Sequence, residues 1–196
     1  MSIASLPPDL RVALAPLDTY RHLMARPVEG SWMRALERPA LVAMIIGTTV
    51  TLSSARRVPL DLVLIGILCW SFVPAIQLLI AAIVIRSTRS RRVPVARALE
   101  LLFIGHLPWS LWVLFMTGLD TFTRVTLGLA VEVGSLLIPG IWTAVIVSAF
   151  CQAVLGCTPR QAHWLTGVHQ VLTWTVFFTY VILVSGFWAR VLAALA

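Results

Sequence analysis

The sequence predicts an all-α, polytopic integral membrane bundle of about five transmembrane helices. Three observations predict it: a composition too apolar for a soluble domain, long uncharged stretches, and cations concentrated between those stretches. Of 196 residues, 59% are hydrophobic and 12% charged, with a mean hydropathy of +0.93. A soluble globular domain is about 45–50% apolar and about 25% charged. A water-soluble fold has no way to hide the excess.

A spanning helix needs about 20 mostly apolar residues. Five stretches approach or meet that length, at 39–55, 61–85, 98–117, 126–154 and 167–188. Pro39 opens the first, at a position where a helix start tolerates proline. Trp32 to Leu36 extends it backward as an interfacial segment, with Trp32 at headgroup level. The chain thus divides into an N-terminal arm, 1–38, and a transmembrane domain, 39–196. In the arm, Leu10, Val12, Ala13, Leu14, Leu17, Tyr20 and Leu23 suit an amphipathic segment lying on the membrane surface. Pro7, Pro8 and Asp9 leave no room for the apolar core of a cleavable signal peptide.

Orientation follows from the arginines, which supply all 15 cationic side chains behind the net charge of +7. With five spans, Arg11, Arg21, Arg26, Arg34 and Arg38 of the arm share a side with Arg86, Arg89, Arg91, Arg92 and Arg97, and with Arg160. The opposite side holds Arg56, Arg57, Arg124 and Arg190. The positive-inside rule puts the N-terminus in the cytoplasm and the C-terminus outside, in a cell inner membrane crossed several times. Arg86, Arg89, Arg91 and Arg92 face anionic headgroups, each attracted by about 1 kcal/mol. A nucleic-acid binder would gather its cations on one solvated face. Here they are interleaved with apolar blocks, so the expected partners are membrane lipids and other membrane subunits.

The order of these parts carries a resemblance. The arm segment Pro16-Leu17-Asp18-Thr19-Tyr20-Arg21, a short first span after Glu37-Arg38-Pro39, the Arg-rich connection, Gly105-His106-Leu107-Pro108 within the third span, and Gly156-Cys157-Thr158-Pro159-Arg160-Gln161-Ala162 after the fourth together resemble bacterial members of the Yip family. These are multi-spanning membrane proteins named for Rab-interacting eukaryotic relatives. The resemblance covers most of residues 16–165. It implies a five-helix bundle with the N-terminus inside and no established catalytic activity.

Few ionisable groups fall inside the spans, and a charge near the bilayer centre costs about 2.5–3.5 kcal/mol. Glu132 lies in the fourth span, His106 in the third and His169 near the start of the fifth. Glu132 belongs to a helical face with Gly128, Ser135, Pro139 and Thr143; Thr166, His169, Thr173 and Tyr180 form a second such face. Such faces pack as polar glue between helices or line a cavity. Pro74, Pro108 and Pro139 are mid-span kink points. Glu100 and Asp61 read as boundary charges that water reaches.

Cys69, Cys151 and Cys157 lack metal-site or disulfide spacing. No Gly-rich phosphate loop, HExxH or GxSxG is present. An enzyme, a metal and a resident cofactor are therefore not expected. The leading expectation is a non-catalytic membrane subunit or scaffold. One alternative is a small transporter or lipid-handling protein using Glu132 and the Pro139 kink. Another is a subunit holding haem, pigment or quinone through His106 or His169, although their expected depths differ by roughly 8 Å, which disfavours a bis-His haem. Trp32 and Trp188 read as interfacial anchors. Trp70, Trp109, Trp112, Trp142 and Trp174 read as packing residues whose indole N–H needs a partner.

Overall fold

Proline placement organises the helices. A proline lacks an N–H and its ring excludes the carbonyl four residues earlier, so it is tolerated in a first turn and disruptive beyond it. The computed structural model describes residues 5–25, 30–55, 60–88, 93–123 and 128–195. Helices α1 (Pro8–Leu14), α2 (Pro16–Met24) and α10 (Pro159–Leu195) begin on a proline, and Pro94 precedes α6 (Val95–Ile104). Pro74, Pro108 and Pro139 fall within the first three residues of α5 (Phe72–Ser87), α7 (Leu107–Gly118) and α9 (Leu137–Ala153). The exception is Pro39, which lies inside α3 (Trp32–Ala55) rather than opening the first span. Tertiary contact carries α3 through it: Ala35, which loses its helical partner to Pro39, is fully buried, and Arg38 pairs with Asp9 of α1. The remaining elements are α4 (Leu60–Trp70), a π-helical turn (Leu119–Thr123) and α8 (Leu129–Ser135). Among the described residues there is no strand.

Three helical stretches are long and apolar enough to cross a membrane: Trp32–Leu52, Leu60–Ser87 and Val133–Ala153. The bent pair Val95–Ile104 and Leu107–Phe122, hinged by 40°, makes a fourth if its two helices are taken as one span. The sequence predicts five spans. The fifth falls in α10, which runs for 37 residues, about 55 Å at 1.5 Å per residue, but is not among those stretches.

The kinks are stitched by side chains. Pro74 deprives the Trp70 carbonyl of its helical donor. At this kink the Ser71 hydroxyl donates to the Leu68 carbonyl (2.7 Å), and the Tyr180 hydroxyl of α10 donates to that of Cys69 (3.3 Å). Helices α3 and α4 meet at glycines. A side chain at Gly47 would collide with the backbone of Ile67, and one at Gly66 with the Thr51 hydroxyl. Thr51 in turn donates to the Gly47 carbonyl at 2.7 Å.

The N-terminal arm is part of the bundle. Val12 and Tyr20 are fully buried and share one core cluster with Leu101, Ile146, Phe150 and Val154. The arm's apolar face is therefore directed into the protein, and Leu10 and Leu14 remain outside. Tyr20 meets Phe150 edge to face at 5.8 Å, and the Trp142 indole N–H donates to the Ala13 carbonyl at 2.8 Å. Trp142→Phe removes that bond alone, worth about 0.5–1.5 kcal/mol. We expect tryptic cleavage after Arg11 and Arg21 to accelerate several-fold in this variant; an unchanged rate would show that the bond does not hold the arm.

Candidate functional site

The bend between α6 and α7 lies near the middle of that bent pair, and it presents His106. Gly105 and His106 donate their N–H groups to Leu102 and Phe103, three residues back, which tightens the chain just before Pro108. Gly105 permits close approach: a Cβ there would strike Ile146 of α9 and stand 3.1 Å from the Tyr20 hydroxyl. Burial pushes the Tyr20 phenol well above its usual pKa and keeps it neutral. From this bend the His106 ring stacks on Phe103 (centroids 5.9 Å apart) and brings Nε2 to 3.1 Å from Oε1 of Gln77, one turn beyond Pro74. An amide oxygen only accepts, so the ring donates from Nε2 and keeps its lone pair on Nδ1.

Opposite His106, α10 turns a polar face inward. Thr166, His169, Gln170 and Thr173 recur at helical spacing. One turn outward, Trp174 meets Trp109 of α7 (centroids 5.1 Å apart) and would lie 3.8 Å from a Cβ at Gly140 of α9, so three helices converge there. Aromatic contacts continue from Trp174 to Phe177 and Phe178, and from Trp109 to Trp112. The polar layer therefore has an aromatic layer on its outer side.

Among the described residues, six buried side-chain atoms of this layer have no partner: His106 Nδ1, Thr143 Oγ1, Thr166 Oγ1, His169 Nδ1, Gln170 Nε2 and Thr173 Oγ1. An unmet buried polar group costs about 1–3 kcal/mol. Six together rival the whole stability of a domain, about 5–15 kcal/mol. Nearer the arm, Tyr20 Oη, Glu100 Oε2 and Arg11 Nε are also buried without a partner among the described residues.

The expected polar face of the fourth span is only partly assembled. Gly128 precedes α8 in an extended conformation, and among the described residues nothing lies within 4 Å of a Cβ added there. The Glu132 side chain lies outside the described residues. Ser135 accepts the Trp112 indole N–H at 3.1 Å, and Thr143 joins the His106 layer. Arg86 is exposed at the end of α5, while Arg89, Arg91 and Arg92 lie outside the described residues.

Helix α10 starts at Pro159, eight residues before the apolar stretch that begins at 167. Thr158 and Gln161 close a reciprocal cap there: Gln161 Oε1 accepts the Thr158 N–H at 3.0 Å, and Thr158 Oγ1 accepts the Gln161 N–H at 3.4 Å. Gly156, with φ +71°, turns the chain into that cap. His169 therefore lies ten residues along the helix, about 15 Å from its start.

Glu100 is not a charge that water reaches. It pairs with Arg97 at 2.8 Å, the two side chains being 14% and 9% exposed. Gln77, the partner of His106, was not singled out by sequence reasoning; its signal was an amide alone in an apolar stretch.

The fold and the site define an all-helical bundle with three to four candidate membrane spans and a buried His, Thr and Gln layer. Among the described residues no three His, Cys, Asp or Glu side chains converge as a metal site. No protein family matches the chain, and no curated protein or solved structure is found to resemble it.

Proposed function

We propose that the protein is a five-span subunit or scaffold of the cell inner membrane, N-terminus inside and C-terminus outside. Its role is non-catalytic, packing against other membrane proteins or organising lipid. The observation that carries this reading is α4. It buries none of its side chains, and it exposes Leu62, Leu64, Ile65 and Leu68 in the first part of Leu60–Ser87, a stretch long and apolar enough to cross a membrane. Such a face is met by lipid or by another helix. The likeness to the Yip family in the order of parts supports the same reading. Gentle-detergent purification from native membranes tests it. Stoichiometric co-purification of other membrane subunits is expected, whereas a lone monomer would count against it. A reporter after Ala196 should be active only outside and one between Ser87 and Arg92 only inside; the reverse would overturn the span count.

A second reading, a small transporter or lipid-handling protein, draws support from the mid-span kinks at Pro74 and Pro108 beside the Gln77–His106 pair. Discontinuous helices around a mid-membrane polar site are the usual architecture of solute binding. In this reading the working centre moves from Glu132 to His106 and His169. Haem or pigment ligation through His106 is disfavoured because Gln77 already engages Nε2. The purified chain should show no Soret band; a stoichiometric one that disappears in His106→Ala would reverse this.

A further inference from the structure

We propose that the His106 layer is a hydrated chamber inside the bundle, built to hold a small uncharged guest rich in hydroxyl groups, water being the smallest. The inference goes beyond the scaffold reading, since a subunit of a complex can also carry such a chamber.

The unpartnered atoms define what the guest must offer. His106 Nδ1 presents a lone pair, because Nε2 is spent on Gln77. Gln170 Nε2 donates, and the hydroxyls of Thr143, Thr166 and Thr173 both donate and accept. A guest that satisfies this set needs donors and acceptors on one small frame, as water and polyols have. A metal ion would find neither carboxylate nor thiolate here, and among the described residues no metal-type cluster exists. An anion or cation would find no opposite formal charge in a set made of His, Gln and Thr.

The six atoms themselves are covered, on two buried residues and on four, His106, Thr143, Gln170 and Thr173, that are half-buried. His169 and Thr166 are each only 7% exposed, and each carries an unpartnered atom. Buried polar groups that no protein atom satisfies are where internal water resides, typically with about three hydrogen bonds per molecule. The aromatic layer of Trp109, Trp174 and Phe177 closes the outer side. Toward the arm, Tyr20 Oη and Glu100 Oε2, also without a partner among the described residues, continue the buried polar atoms.

Thiol chemistry reports water directly, because the thiolate is the reactive form and needs hydration. Cys69 and Cys157 are replaced by alanine, and the fully buried Cys151 is kept so that this parent chain sets the blank. Thr143→Cys, Thr166→Cys and Thr173→Cys are then made singly and reconstituted in liposomes, accepting only variants that elute as the parent does. The probe is the neutral, water-soluble reagent 2-hydroxyethyl methanethiosulfonate. Val171→Cys is the control, on the same helix between Thr166 and Thr173 but with a 65% exposed, outward side chain.

The threonine positions should react at least tenfold faster than Val171→Cys. Rates no faster than that control at all three positions would overturn the chamber. Added glycerol that slows labelling in the chamber but not at the exposed Gln161→Cys marks a polyol site. Fast labelling without such protection marks water as the guest. Both results uphold the hydrated chamber.

Discussion

Glu100→Ala should destabilise the protein by about 3–5 kcal/mol, the loss that follows when one member of a buried ion pair is removed. Arg97 and Glu100 are three residues apart on α6, in contact at 2.8 Å, and almost fully covered. Taking away the carboxylate leaves a guanidinium that cannot be deprotonated and has lost its counter-charge. Arg97→Ala should cost a similar amount, because Glu100 already has one oxygen, Oε2, without a partner. The double variant Arg97→Met, Glu100→Leu removes both charges and fills similar volume, so it should recover most of the loss. Thermal unfolding in detergent, followed by the fraction still eluting as a single species, measures all four proteins. A neutral Glu100→Ala would mean that water reaches Arg97 and that the arm does not seal this end of the bundle.

The second large effect is expected at the α3–α4 crossing. Gly47→Val places a side chain where the backbone of Ile67 already lies, and a backbone, unlike the tip of a flexible side chain, cannot swing aside. The helices must separate, breaking the close contact around the Thr51 to Gly47 hydrogen bond. Overpacking costs about 1–3 kcal/mol, and this site should fall at the upper end. Gly134→Ala, on α8 with nothing within 4 Å of the new methyl group, is the matched control and should be close to neutral. Equal melting temperatures for the two variants would show that the crossing is looser than its glycines indicate.

The sequence by itself determined the helical, membrane-type character of the chain and the approximate location of its apolar stretches. It also located the kinks, because Pro74, Pro108 and Pro139 act through their own missing N–H groups and need no distant partner. These are local properties, readable wherever 20 residues share a solvent preference. What surrounds each stretch was decided elsewhere. Arg97 and Glu100 sit at a helix end, where hydropathy reads them as solvated, and they are buried only because the bundle closes over them. The start of α10 at Pro159 is set by a cap four residues wide, which an average over apolar residues passes over. Val12 and Tyr20 form a face that a membrane surface or a protein groove would suit equally well, and the groove between α6 and α9 took it. The hydrogen bond joining Gln77 to His106 spans 29 residues of chain, and the one joining Ala13 to Trp142 spans 129. No periodicity encodes such meetings, because they follow from how the helices pack, and packing depends on all of their faces at once.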